Sequence, residues 1–169
     1  MHQEALEYVA WARDQIPTPT RVLELGSYNV NGSVRTLWPA NVGWHGVDVR
    51  PGPGVDEVAD ARDYDGDASY DLVICTETME HAPKAGRILK SVYRSLSPRG
   101  FLIATMAGEG RAPHSGLDGN PLEEGDDEFY HNVTEMQLRK WLVSAKMKLL
   151  NIEHDPVAGD LRCIAWKEK

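Results

Sequence analysis

The stretch TETMEHAP, residues 76–83, places two glutamates and a histidine close together: Glu77, Glu80 and His81. Side chains three and four residues apart on one helical turn face a common point. Two carboxylates and an imidazole aimed at one point suit a divalent cation, or acid–base work on a bound substrate. A metal-free alternative stands beside it, in which Glu80 and His81 only shape the site and set the start of the following helix.

Acids also punctuate the chain upstream. Glu24 lies in VLELGSYNVNGS (22–33), Asp48 in GVDV and Asp60 in VADAR, each closing a short apolar run. In open α/β sheets, ligands bind at the carboxyl ends of the strands. Gly26 lets backbone come close to such a ligand because it has no Cβ. Asp48 follows the glycine loop at the spacing where a carboxylate accepts from ribose hydroxyls, about 20 residues on. Asp60, with Ala61, is placed to meet an adenine amino group. A solvated charge explains any one of these acids; three at successive strand ends point to a nucleoside-like ligand.

The elements that must hold these residues follow from periodicity and punctuation. An N-terminal helix falls within residues 1–17, with apolar positions repeating over 2–16 and Pro17 and Pro19 ending it. Strands are expected at 21–27, 43–50, 55–59, 70–76 and 101–106. Helices are expected at 31–37 and 84–96. Thr134 with Gln137 makes a capping-box pattern that opens a helix running to about Ala145. Strands at 148–153 and 160–166 close the chain with only HDPVAG between them. Alternating strands and helices predict a doubly wound α/β fold on a mostly parallel sheet, and the closing pair predicts one antiparallel strand. Residues 108–130 form a loop too long to be mere connection.

Bulk properties narrow the partners. The chain has 169 residues, enough for one domain, with 41% hydrophobic residues. Its net charge of −8 and pI of about 5.2 repel phosphate backbones, which argues against nucleic acid and anionic membrane surfaces as partners. Cys75 and Cys163 sit inside apolar runs and read as buried free thiols, not a disulfide framework. No apolar run is long enough to span a bilayer, and MHQEALEYVAW lacks the basic start of a signal peptide. These features lead us to expect a soluble, cytoplasmic protein acting on a small molecule.

Together, VLELGSYNVNGS, GVDV, VADAR, YDLVICTETMEH and LSPRGFLIAT resemble class I S-adenosylmethionine-dependent methyltransferases, over nearly the whole chain. The resemblance implies a Rossmann-like seven-stranded sheet of order 3-2-1-4-5-7-6 with strand 7 antiparallel. It implies a single methyltransferase domain over 1–169, with 108–130 as a loop or lid over the acceptor. Its cofactor would be S-adenosylmethionine. Glu24 and Gly26 would shape the loop around the methionine part, with Tyr28 as a wall. Asp48 would hold the ribose, Asp60 and Ala61 would meet the adenine, and Thr76 would lie near the sulfonium. His81 and His131 would be the catalytic base or orienting groups. The family pattern is closer to E-x-G-x-G-x-G, and Tyr28 and Val30 break it here. Those glycines matter most where backbone presses against a pyrophosphate. Their loss therefore counts against a nicotinamide or flavin dinucleotide more than against a methyl donor.

The ExxEH pattern is also similar to ubiquinone-biosynthesis O-methyltransferases and small-RNA 3′-terminal 2′-O-methyltransferases. By that likeness Glu77, Glu80 and His81 would bind Mg²⁺ or Mn²⁺, and His131 would add a fourth ligand. Such a cation lowers the pKa of an acceptor hydroxyl and orients it. The expected activity is methyl transfer to an oxygen or nitrogen of a small polar acceptor. Alternatives are a cation-assisted O-methyltransferase, the RNA 2′-O type included, a non-catalytic cofactor-binding accessory protein, and a nicotinamide-dependent oxidoreductase. Within the loop, His114 ranks behind His131, and most charges of EEGDDE (123–128) read as a solvated acidic surface.

Overall fold

The computed structural model describes residues 2–169. The chain runs α1 (Gln3–Arg13), β1 (Arg21–Leu25), β2 (Gly43–Asp48), β3 (Glu57–Val58), β4 (Tyr70–Thr76), α2 (Gly86–Ser95), β5 (Leu96–Ala107), α3 (Glu135–Ser144), β6 (Lys148–Asp155) and β7 (Asp160–Trp166). The seven strands form one sheet of order β3-β2-β1-β4-β5-β7-β6. Strands β1 to β5 pair in parallel, and β7 pairs antiparallel with both β5 and β6. The fold expected from the sequence is the fold observed.

Central strands are apolar on both faces because both faces are covered. Leu23, Leu25, Val73, Cys75, Leu102 and Ala104 share a core with Ile88, Leu89 and Val92 of α2 and Leu138 and Leu142 of α3. Val22, Leu72, Ile74, Ile103 and Ile164 form a second core with Tyr8, Val9 and Ala12 of α1, closed at one side by Val34 and Trp38. The predicted capping box opens α3: Thr134 Oγ1 accepts from the Gln137 N–H, and the Gln137 side chain accepts from the Thr134 N–H.

Two elements depart from expectation. The helix predicted at 31–37 is only a single 3-10 turn, Val34–Leu37, with the Ser33 hydroxyl accepting from the Arg35 N–H. Pro39 stops it before a second turn forms, and β-branched Val34 and Thr36 favour helix weakly, so nucleation is not repaid. The links β1–β2, β2–β3 and β3–β4 therefore carry no α-helix. Strand β5 starts earlier than predicted: Leu96 already pairs with Tyr70, and SPRG forms an irregular kink before Phe101 resumes register with Leu72. No helix among the described residues is long and apolar enough to cross a membrane. Both cysteines are free and buried.

Candidate active site

A cleft of about 770 Å³ opens at the carboxyl ends of β1, β2, β3 and β4. It is lined by Glu24, Gly26, Tyr28, Asp48, Asp60, Ala61 and Thr76, all seven of the candidate cofactor residues, and by Glu77 and His81. Glu80 and His131 lie outside it.

At the end of β1 the chain turns through Gly26 with φ +78°. The Gly26 N–H donates to Val47 O at 2.9 Å. A Cβ on this residue would overlap Thr78, whose own Cβ would lie only 2.8 Å away. Glycine is required here twice, by the left-handed backbone and by the close approach. Glu24 is 5% exposed. Its Oε2 accepts from Trp44 Nε1 at 2.9 Å and Arg35 Nε at 3.1 Å. Burial raises its pKa, and the Trp44 and Arg35 bonds oppose that rise. Glu24 thus ties β1 to the turn after it.

Asp48 and Asp60 share a local design, D-x-R. Asp48 accepts the Tyr28 N–H on Oδ2 and the Arg50 N–H on Oδ1, each at 3.1 Å. Asp60 Oδ1 accepts the Arg62 N–H at 2.8 Å, and the Arg62 guanidinium folds back onto both carboxylate oxygens. The Arg62 bonds hold the Asp60 carboxyl below the usual carboxylate range. The Arg50 guanidinium lies over the Tyr28 ring, 4.4 Å from its centroid. Tyr28, read as a substitute for a missing glycine, is fixed as a stacked wall.

The four residues considered as metal ligands do not converge. Glu77 has φ +49°, which takes it off the helical turn assumed from spacing. Its Oε1 accepts from Thr105 Oγ1 at 2.9 Å, and its Oε2 lies 3.4 Å from His2 Nε2. Glu80 sits on the 3-10 turn Met79–His81 and is fully buried, with Oε1 accepting the Ala107 N–H at 3.1 Å. Burial and the nearby Glu77 charge push the Glu80 pKa well up. His131 is held away from the cleft because its N–H donates to Glu80 O at 2.9 Å. Its ring packs against Phe129 and Trp141 at 5.3 and 6.3 Å. His114 takes the place expected of His131. His81, His114 and Tyr130 form a three-ring cluster with centroids 5.0–5.5 Å apart. Glu80, His81 and His114 bring ligand atoms within 4.8 Å of one another, and so do His2, Glu77 and Asp160.

Burial is the main reason that the His81 pKa falls to about 4, reinforced by His114. His81 is therefore a neutral imidazole at physiological pH. On the other wall, fully buried Asp160 joins His2 Nε2 at 3.1 Å, Arg111 Nη1 at 2.6 Å and Arg162 Nη2 at 2.9 Å. His2 Nδ1 also accepts from the Ala5 N–H, capping α1. This cluster pins the start of the chain, the start of the 108–130 loop and β7 to one point beside Glu77. The loop acids are not all solvated surface: Glu128 accepts from the Ser115 hydroxyl at 2.7 Å and the Gly116 N–H at 3.0 Å. His2, Arg50, Arg62 and Arg111 were not singled out in the sequence as site residues, and His114, ranked behind His131 there, is the one that faces His81. The repeated D-x-R of DVR and DAR was the one signal that marked Arg50 and Arg62.

A family model described as a methyltransferase domain matches residues 49–104. Among curated proteins, no sequence matches the chain. Solved structures agree closely in fold. One is a 1,6-didemethyltoxoflavin-N1-methyltransferase of Burkholderia thailandensis, with bound 1,6-didemethyltoxoflavin and S-adenosylhomocysteine. It has 18% identity and a TM-score of 0.74, with 98% of this chain and 79% of that one covered. Another is an S-adenosylmethionine-dependent methyltransferase of Mesorhizobium loti, at 16% identity and TM-score 0.69, covering 96% and 100%. A third, the [4+2]-cyclase SpnF, matches at 16% identity and TM-score 0.68, covering 96% and 79%. The sheet order and these neighbours show the fold of S-adenosylmethionine-dependent methyltransferases, and residues 49–104 match a methyltransferase-domain model.

Proposed function

We propose that the protein transfers a methyl group from S-adenosylmethionine to an oxygen or nitrogen of a small polar acceptor held beneath the 108–130 loop. The observation that carries this reading is the single cleft lined by Gly26, Tyr28, Asp48, Asp60, Ala61 and Thr76 at four successive strand ends. Gly26 turns the backbone sharply at the cleft wall with Thr78 packed against it, and Asp48 keeps lone pairs for ribose hydroxyls beside its two backbone donors. S-adenosylmethionine supplies an electrophilic methyl group on a sulfonium. The chain's own work is to align the acceptor with that methyl, exclude water and receive a proton. His81 suits the last role as the candidate catalytic residue. It is neutral, it lines the cleft, and it can take a proton from an acceptor O–H or N–H.

A second reading, cation-assisted O-methylation, rests on one specific observation. Glu80 Oε2 and His81 Nδ1 are both buried without a partner, and His114 completes a ligand set with them. One carboxylate and two imidazoles suit Mn²⁺ better than Mg²⁺. The ligands would then be Glu80, His81 and His114, not the set with Glu77 and His131.

Calorimetry with S-adenosylhomocysteine tests the main reading: micromolar binding supports it, and no binding at millimolar ligand refutes it. Mn²⁺ titration followed by electron paramagnetic resonance tests the second. Loss of the free-ion signal, abolished by His114→Ala, supports a site; an unchanged signal removes it. The fold also hosts other chemistry, as the cyclase relative illustrates. Methylated product from candidate acceptors therefore separates an enzyme from a cofactor-binding accessory protein.

A further inference from the structure

We propose that Arg50 couples the cofactor half of the cleft to the acceptor half, fixing the 115–117 turn over His81 when the ribose site is filled. The inference rests on the cofactor reading above and assigns Arg50 as a positioning residue. A continuous path of contacts carries it.

At one end, the Asp48 carboxylate is built into the backbone of residues 48–50, since it accepts the Arg50 N–H on Oδ1 and the Tyr28 N–H on Oδ2. A ligand that engages Asp48 therefore also fixes where Arg50 begins. The side chain then crosses the Tyr28 ring and reaches the loop, where Nη2 donates to Gly116 O at 2.8 Å and Nη1 to Leu117 O at 3.5 Å. Its guanidinium bonds two carbonyls and a ring rather than a carboxylate, so its position reports on the loop.

At the other end, Gly116 lies against the His81 ring; a Cβ there would be 3.0 Å from His81 Cγ. The turn itself is stiff. Glu128 holds Ser115 and Gly116, and the Leu117 N–H donates to Ser115 Oγ at 3.0 Å. Beyond this turn the loop is held mostly by bonds within itself: Ser115 N–H to Asn120 O at 2.8 Å, Leu122 N–H to Pro113 O at 3.2 Å and the bridge pairing His114 with Pro121, whereas Arg50 reaches it from the cofactor side. Hydrogen bonds from a charged donor are the strong ones in such a segment. Coupling of this kind is reciprocal: what the cofactor contributes to loop order, loop order returns to cofactor affinity. The acceptor pocket beside His81 and His114 is then completed on the cofactor-loaded protein, which makes binding ordered, cofactor first.

Hydrogen exchange of the full chain, with and without S-adenosylhomocysteine, tests this in wild type, Arg50→Ala and Arg50→Lys. In wild type the ligand should slow exchange of the 115–119 amides by about tenfold, the effect of one charged hydrogen bond. Arg50→Ala keeps the backbone bonds to Asp48, so it should still bind the ligand while that slowing disappears. Arg50→Lys, with one donor reaching one carbonyl, should restore part of it. The His81 ring resonance should shift on ligand binding in wild type and not in Arg50→Ala. Equal slowing in wild type and Arg50→Ala, no slowing in wild type, or loss of all binding in Arg50→Ala overturns the coupling. Failure of wild type to bind the ligand overturns the cofactor reading as well, which keeps the two failures distinct.

Discussion

Gly26→Ala is the sharpest perturbation of the cofactor loop. The residue has φ +78°, where an alanine costs about 1–2 kcal/mol relative to its preferred backbone. The new Cβ also meets Thr78, whose hydroxyl donates to Thr76 O at 2.9 Å. Moving Thr78 aside breaks that bond, worth about 1 kcal/mol. The sum, roughly 2–3 kcal/mol, is a large part of the stability of a domain this size. Urea unfolding measures it. A double-mutant cycle with Thr78→Gly separates the two causes: the backbone part persists, and the steric part appears as a coupling of about 1 kcal/mol. A total loss below about 1 kcal/mol, or a coupling below about 0.5 kcal/mol, would refute the close-approach argument.

Asp48→Ala should weaken S-adenosylhomocysteine binding roughly tenfold to a hundredfold, the cost of losing charge-assisted bonds to ribose hydroxyls; calorimetry checks it, and unchanged affinity counts against the ribose assignment. The His81 ring should titrate near pH 4 by NMR, against an ordinary value of 6.5. Because its folded pKa is depressed, its stabilising contribution is full above about 6.5 and is lost as pH falls toward about 4. His81→Phe should flatten that part of the stability profile. Burial pushes the Cys163 pKa up to about 12 and raises that of Cys75 as well, so neither thiol should react with an aromatic disulfide reagent until urea unfolds the chain.

Periodicity made the strands and the two long downstream helices legible, because a buried parallel strand such as LVICT and a periodic stripe such as Ile88, Leu89 and Val92 are local patterns. The strand-end acids were legible for the same reason: Glu24, Asp48 and Asp60 each close an apolar run. The arrangement after β4 was not. Spacing put Glu77, Glu80 and His81 on one turn, but Glu77 adopts a left-handed backbone and splits the group into separate walls. Nothing in ETMEH announces that conformation, which depends on the Glu77 N–H reaching Thr105 O across the sheet. The exchange of His131 for His114 has a similar origin. Both lie in or beside the long loop, and which one faces His81 is decided by the His131 N–H bonding to Glu80 O. Long-range backbone bonds of this kind leave no local signature.

The connections among β1, β2, β3 and β4 hold only turns where a doubly wound fold has room for helices. That half of the sheet also carries the cleft. A bound nucleoside would therefore act there as a surrogate structural element, bridging Gly26, Asp48 and Asp60 where no helix does. A ligand that binds only the folded state stabilises it by about 2.7 kcal/mol at a hundredfold excess over its dissociation constant. In this chain that gain would fall on the half whose strand links hold no α-helix. Cofactor supply in the cell would then set the lifetime of the protein as well as its turnover.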